Sequence, residues 1–472
     1  MVDAPPDVLQ YVQRPARREG LRRENIGGGE VKSVLSSRLT RSIAAAGLVV
    51  GVIVAGAGSA FAGVGAQQDL GGSKPGGWRG QTLYVSNASG HEGYGGQWRQ
   101  WGCYNTPYST IASAVSAALN GSTIIVCPGT YDESVTVTGK SLELLGQGAT
   151  IAVPNNAEDD SQGVVFMGPA TVGSSLEGFT ITGAQAEAFY ADGTSNLTID
   201  GNRIIGNDLS CENAAAASAE DDCGEGLHLD AVTNSRITNN YVTGNTGGIL
   251  LTDGIPEGST GQFAFGSYTQ YAGPSFGNWI ANNFVVDNVW DCGITLPSHN
   301  SNAVSTSGTP QPSQGGVYDN TIINNISIGN GTEPGTGGGA GVLVAAPFPG
   351  TGSYDNLIEN NRVEDNGLAG VTIHSHAPDQ DVNGNRIIGN IVGTNALDAN
   401  SADGGPGDSD FGALGTIGIL VGSVTPIVGT VIAGNVITNN GTGIWTTDNV
   451  SGDFTHNFFA NDTVAVSTSN LP

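Results

Sequence analysis

The fold class that this sequence predicts is an all-β solenoid, a coil wound from short strands that stack turn upon turn. Three observations carry it. A tetrad of glycine, apolar, any residue, apolar opens at Gly226, Gly248, Gly293, Gly341, Gly370, Gly418 and Gly443. Asparagine pairs five residues apart recur at Asn202/Asn207, Asn240/Asn245, Asn283/Asn288, Asn325/Asn330, Asn361/Asn366, Asn385/Asn390 and Asn435/Asn440. The segments they bracket are short and rich in Val, Ile and Thr, which fits strands and not helices.

The stretch Gly226–Asp253 holds one full turn, with 22 residues separating Gly226 from Gly248. Self-similarity at a period of about 20–50 residues marks a solenoid, in which each repeat buries its apolar face only against its neighbours. Asn and Gly at fixed places suit corners with positive φ. Stacked in register, Asn side chains also hydrogen-bond along the axis and satisfy backbone groups that a buried corner would orphan.

With these repeats the chain resembles the right-handed parallel β-helix of the pectin-lyase-like superfamily over roughly residues 120–465. The resemblance implies a single-stranded right-handed parallel β-helix with a short N-terminal capping helix. A leucine-rich repeat also carries an Asn ladder, but these turns lack a helical segment and Leu does not dominate their core.

Taken in order, residues 1–62 read as an extended signal peptide: basic residues, the apolar run within 38–62 and a small-x-small ending predict cleavage near Ala62. Residues 63–80 are a Gly-rich flexible leader, and residues 81–135 form an N-terminal head whose helix is expected over Tyr108–Leu119. The coil proper is expected over 136–465 and a tail over 466–472. The head, from Ser122 through Gly129-Thr-Tyr-Asp-Glu to Lys140-Ser-Leu-Glu-Leu-Leu-Gly, is similar to that of NosD-like and pectinesterase-like proteins. That similarity implies a helix plugging the end of the coil, which guards against edge pairing. The later pectinesterase motifs are missing, and the polygalacturonase echo Asp221-Asp222-Cys223-Gly224 stands without its companion motifs.

Five cysteines in an exported chain predict disulfides, Cys103 with Cys127 and Cys211 with Cys223, leaving Cys292 unpaired. No two have close chelating spacing, so no metal site is assigned. Net charge is −27, and residues 1–62 hold eight of the sixteen Lys and Arg but five of the forty-three Asp and Glu. The remainder is more acidic still, which excludes nucleic acid as a partner and favours a neutral polysaccharide. A polyanionic glycan would call for bridging Ca²⁺, a cofactor the sequence permits without requiring. The apolar run near the N-terminus is broken by glycines and followed by no second span, so no stable membrane anchor is expected.

Insertions after Leu251-Thr-Asp253 and Leu296-Pro-Ser-His299, and loops before Gly341 and Gly418, all flank the tetrad strand. They predict walls beside a groove floored by those strands, suited to an extended polymer. The outward floor column is expected to be His228, Leu250, Thr295, Leu343, Thr372, Leu420 and Trp445, with Asp230, Asp253, His299, His374, His376 and Asp448 just beyond. Four of the six histidines fall on this face, which points to acid–base work. Asp230 and Asp253, on adjacent turns, are expected to lie roughly 5–9 Å apart as acid and base or nucleophile, with His228, His299, His374 and His376 orienting substrate or assisting proton transfer. Tyr268, Tyr271, Trp279 and Trp445 are candidate sugar-stacking residues.

No Lys or Arg lies in the seven tetrad strands, which disfavours elimination with such a base, and the epimerase motif Asp-Pro-His is missing. The arginines Arg203, Arg362 and Arg386 follow the first Asn of their pairs, on a different face. The predicted activity is glycosidic bond cleavage on an extracellular polysaccharide, hydrolysis before elimination. The alternatives are a non-catalytic envelope or glycan-binding β-helix protein, and a polysaccharide lyase or NosD-like periplasmic protein.

Overall fold

A computed structural model describes residues 80–87, 103, 106–154, 161–209, 225–255, 271–333, 339–375, 377–395 and 416–469. The predicted signal peptide and nearly all of the leader lie outside the described residues, as do Cys211, Cys223, Tyr268 and His376.

The chain is a right-handed parallel β-helix. Each turn lays one short strand into each of three long parallel sheets of 11, 12 and 11 strands, which we call floor, flank and back in the order the chain visits them. Around Gly226 the sequence runs Glu225–Asp230 (floor), Arg236–Thr238 (flank), Tyr241–Thr243 (back) and Gly247–Thr252 (floor again). A fourth sheet of three two-residue strands, Ser275–Phe276, Val317–Tyr318 and Ser353–Tyr354, lies between floor and flank in the middle turns. Alternate residues point inward, so Ile237, Val242, Leu227 and Leu229 are buried as one continuous core with Phe166, Phe179 and Phe189. The tetrad glycine gives the next turn room: a Cβ on Gly248 would stand 2.1 Å from the Gly293 carbonyl oxygen.

Three asparagine ladders line the corners. Asn240 Nδ2 donates to Asn283 Oδ1 at 3.0 Å and to the Ile199 carbonyl at 2.9 Å, while its own backbone N–H donates to Asn283 Oδ1 at 2.9 Å. Positive φ falls on the residue before the ladder position, such as Asn239, Asn282, Asn324 and Asn360, and not on the ladder asparagine itself. The pair expected at Asn385/Asn390 is out of step. Asn385 accepts from Asn356 in the ladder entering the flank sheet, whereas Asn390 continues from Asn361 and Asn395 from Asn366. Successive corners are five residues apart across a flank strand and again across the back strand that follows, so a pair alone does not say which corners it occupies.

The capping helix runs Ile111–Ala117, shorter than expected, with Thr110 Oγ1 accepting from Ser113 N at 3.2 Å. The first turns satisfy its remaining ends. Glu133 accepts from the backbone N–H of Ile111 and Ala112 at 2.7 and 2.9 Å, and Lys140 Nζ donates to the carbonyls of Val115 and Ala118 at 3.0 and 2.9 Å. Tyr131 Oη donates to the Cys127 carbonyl at 2.8 Å, so the Gly-x-Tyr-x-Glu element is structural here. Cys103 and Cys127 form a disulfide, and Cys292 is a free, buried thiol.

The coil extends further than expected at both ends. Thr82–Val85 already pairs with Ser122–Val126 in the flank sheet, and Val135–Thr138 is a floor strand, so these strands of the expected head belong to the sheets of the solenoid. At the other end, Val464–Ser469, which pairs with Thr442–Thr447, runs from the expected coil into the expected tail. No helix among the described residues is long and apolar enough to cross a membrane.

Candidate functional site

Register along the floor sheet fixes which side chains share a row. His228, Leu250, Thr295, Leu343, Thr372, Leu420 and Trp445 pair in succession, as the alternation predicts. The row continues upstream through Tyr190 and Val165, on floor strands Phe189–Asp192 and Val164–Met167. Sequence reasoning passed over these two strands, although Ala188-Phe-Tyr-Ala-Asp192 repeats the pattern Gly226-Leu-His-Leu-Asp230 with Ala in the glycine position.

The omission matters, because Asp192 pairs directly with Asp230 and Tyr190 directly with His228. Asp230 faces Thr252, not Asp253, in the next turn. The carboxyls on adjacent rungs are therefore Asp192 and Asp230, at an interstrand spacing of about 4.8 Å. His228 Nδ1 lies 3.2 Å from Glu187 Oε1, and Gln162 Nε2 donates to Glu187 Oε2 at 2.7 Å. The rings of Tyr190 and His228 meet edge to face at 5.1 Å. Tyr271 covers the end of this cluster: its backbone N–H donates to both Asp192 oxygens at 3.1 and 3.2 Å, and a Cβ on Gly193 would run into its side chain at 2.3 Å.

Glu187, Asp192, Asp230, His228 and Tyr190 are buried, and burial is the largest influence on the protonation of the three carboxyls. It pushes Asp192 up to about 7, against the Tyr271 hydrogen bond and the charge of His228. Asp230 is held well above the ordinary carboxylate range by burial and then by Asp192, with a hydrogen bond from Tyr190 opposing. Asp230 Oδ1 has no hydrogen-bond partner. Glu187 is also buried, yet its hydrogen bonds to His228 and Gln162 and the charge of His228 bring it below its usual value. The cluster thus contains an ionised Glu187 beside His228, and an aspartate pair that retains a proton near neutrality.

Asp253, expected to partner Asp230, serves a different purpose. It accepts from Ser298 Oγ at 2.9 Å and from the backbone N–H of His299, Asn300 and Gly316 at 2.6, 3.2 and 2.6 Å. With both oxygens committed, it anchors the ends of the 298–316 loop. His299 lies beside it, its Nδ1 3.2 Å from Thr252 Oγ1, and burial and the neighbouring His228 lower its pKa to about 4. His299 is neutral at physiological pH.

The other candidates are dispersed. His374 is half-buried on the floor opposite Ala345 and Gly422, three turns beyond the Thr252 row. Trp445 is 3 % exposed and packs with Ala369, Ile417 and Leu420, leaving no ring face for a sugar. Trp279 stands on the flank sheet under Arg236, away from the floor. Arg386 is also on the flank sheet, whereas Arg203 and Arg362 are on the back sheet. Of the proposed stacking residues only Tyr271 is seen beside the acidic cluster.

The model of the family described as periplasmic copper-binding protein (NosD) matches residues 130–294, about a third of the chain. No group of three or more His, Cys, Asp or Glu is placed to hold a metal ion among the described residues. Cys292, the one cysteine described in the matched stretch, is buried with its thiol pushed well up by burial and Asp291. The donors among the described residues do not fit copper. No curated protein matches the chain. Among solved structures, the A-module of mannuronan C-5 epimerase AlgE4 from Azotobacter vinelandii is 14% identical with a TM-score of 0.44, over 76% of this chain and 93% of that one. An alginate lyase from Paenibacillus sp. str. FPU-7 is also 14% identical with a TM-score of 0.44, over 81% and 99%. The catalytic domain of a GH87 alpha-1,3-glucanase is 11% identical with a TM-score of 0.38, over 74% and 64%. Likenesses of this size carry no activity across.

Proposed function

We propose that this is an exported β-helix protein that cleaves glycosidic bonds in a polysaccharide lying along the floor sheet, with Asp192 and Asp230 as the reacting carboxyls. The observation that carries the reading is their pairing on adjacent rungs in a buried site with a retained proton. Rung spacing of about 4.8 Å is close to the roughly 5–5.5 Å between the carboxyls of glycosidases that work by double displacement. Asp230, the more strongly raised, is the acid that protonates the leaving oxygen. Asp192, steadied as an anion by the Tyr271 N–H, is the base or nucleophile. Glu187 orients His228, and His228 with Tyr190 positions the sugar hydroxyls or relays the proton.

A second reading is favoured by the contact between Tyr190 and His228. In elimination from a uronate, one of these two would remove the C5 proton while the protonated aspartates hydrogen-bond the substrate carboxylate. A screen of the full chain against a panel of neutral and acidic glycans, following reducing ends and unsaturated-uronate absorbance together, separates the two. Hydrolysis yields reducing ends without that absorbance, an activity that rises as Asp192 ionises through about pH 7 and falls at higher pH as Asp230 loses its proton, and a loss of at least ~10³-fold in Asp192→Asn and Asp230→Asn. Absorbance that survives in those variants and vanishes in Tyr190→Phe transfers the assignment to elimination. A folded chain silent across the panel contradicts both and leaves a binding or structural role.

A further inference from the structure

A cavity of about 320 Å³ opens beside the three-stranded sheet, between floor and flank. Its lining residues include Pro310 and Pro312 from the 298–316 loop, Asp319, Asp355, Asp381 and Tyr354. Tyr354 lies in the turn of floor strand Val342–Ala346, three rungs beyond Asp230. That is an axial distance of about 15 Å, and the cavity shares no residue with the aspartate pair.

The cavity wall is built on a ladder. Phe276, Tyr318 and Tyr354 stack face to face with centroids 5.2 and 5.1 Å apart and planes within 2° and 6°. Tyr318 Oη donates to the Pro312 carbonyl at 3.0 Å, tying the proline loop to the stack. Asp319 and Asp355 occupy successive positive-φ corners next to these rings, and Asp381 Oδ1 accepts from Asn383 N at 2.8 Å. Among the described residues, no Lys, Arg or His lines the cavity. The Tyr354 hydroxyl is the independent sign of a missing partner. The residue is 7 % exposed, its Oη has no hydrogen-bond partner, and the groups that bear on it electrostatically are Tyr318, Asp381, Asp355 and Asp319. A buried hydroxyl without a partner is costly unless something else meets it.

We propose that this cavity binds a primary ammonium group carried on a small polar framework, an amino sugar or a short aliphatic amine. The three carboxyls supply the charge, the Tyr354 hydroxyl accepts one ammonium proton, and the prolines and tyrosine edges enclose the carbon frame. A compact metal site is the poorer fit, because the carboxyls are not grouped for coordination. Desolvation and then neighbouring aspartates raise Asp355 and Asp381, an effect that a bound ammonium would oppose. The chain's charge of −27 draws cations toward the surface in general, so specificity must come from the shape of the cavity.

Calorimetric titration of the full chain at low salt tests this with glucosamine, putrescine, N-acetylglucosamine and CaCl₂. Glucosamine or putrescine is expected to bind saturably, with N-acetylglucosamine, which lacks the charge, at least tenfold weaker. Preference between the two amines identifies the framework. Asp319→Asn and Asp355→Asn, both exposed corner residues, should weaken the amine at least fivefold with unchanged Tm, and Tyr354→Phe should weaken it severalfold. Since no catalytic group is touched, these variants should retain any glycan-cleaving activity, so failure here is separable from failure of the activity above. The proposal is overturned if neither amine binds, if N-acetylglucosamine binds as well as glucosamine, if the two Asn variants bind undiminished, or if only Ca²⁺ binds at these carboxyls.

Discussion

Asp192, Asp230 and Asp253 are all buried carboxyls, and what separates them is what their oxygens meet. Asp253 receives four hydrogen bonds, three of them from backbone N–H groups, and so fastens a loop. Asp192 receives one backbone N–H shared between both oxygens, and Asp230 keeps a bare Oδ1. Asp253→Ala should therefore cost roughly 3 kcal/mol or more of stability, because it orphans several buried donors at about 1–3 kcal/mol each; denaturant unfolding measures this. A loss under 1 kcal/mol would show that the anchor role is wrong. Asp230 and His228 were legible in the sequence because the tetrad marks their strand. Asp192 was not, since Ala188 stands where the other strands have Gly and the alternation Phe-Tyr-Ala-Asp looks ordinary without it. The engagement of Asp253 was hidden for a different reason: its donors lie 45–63 residues away along the chain.

At the scale of the element, the corner ladders hold the turns in register. Asn325 Nδ2 donates to Asn361 Oδ1 at 3.0 Å and the Ile280 carbonyl at 2.9 Å, and Asn325 Oδ1 receives both N–H groups of Asn283. Asn324, just before it, merely occupies the positive-φ position at 56°. Asn325→Ala is expected to destabilise by roughly 3–5 kcal/mol. Asn324→Gly, which keeps the backbone conformation accessible, should change stability by less than about 1 kcal/mol. Equal effects in thermal or denaturant unfolding would contradict the division of labour between the two positions. The sequence revealed the ladders and their chemistry, but an equal spacing of five across flank and back strands concealed the shift at Asn385/Asn390, which only pairing between turns resolves.

At the scale of the whole molecule, a solenoid is weakest at its ends, where a turn has a neighbour on one side only. The N-terminal end is closed by the helix Ile111–Ala117, held by Glu133 and Lys140 at its two termini, and by the disulfide between Cys103 and Cys127. Closing a loop with a sequence separation of 24 residues is worth about 3 kcal/mol against the open chain. Cys103→Ser with Cys127→Ser should thus lower Tm under non-reducing conditions and leave the floor sheet's chemistry unaltered. A Tm equal to that of the parent would remove the disulfide from the account of this end. The all-β coil and its closing helix could be read from repeat spacing, because one periodic pattern repeated seven times overdetermines the fold. The limits of the coil could not, since the first and last turns lack the tetrad and are recognised only by the strands they pair with.

The central claim is chemical: the aspartates on adjacent floor rungs share a proton near neutral pH. Infrared difference spectroscopy of the chain labelled with ¹³C at its Asp carboxyls, titrated from pH 4 to 9 alongside Asp230→Asn and Asp192→Asn, measures it directly. A protonated carboxyl band that persists at pH 7 in the parent, and is lost or shifted in either variant, is the predicted result. If every aspartate band has converted to carboxylate by about pH 5, the pair holds no proton and cannot act as acid and base together.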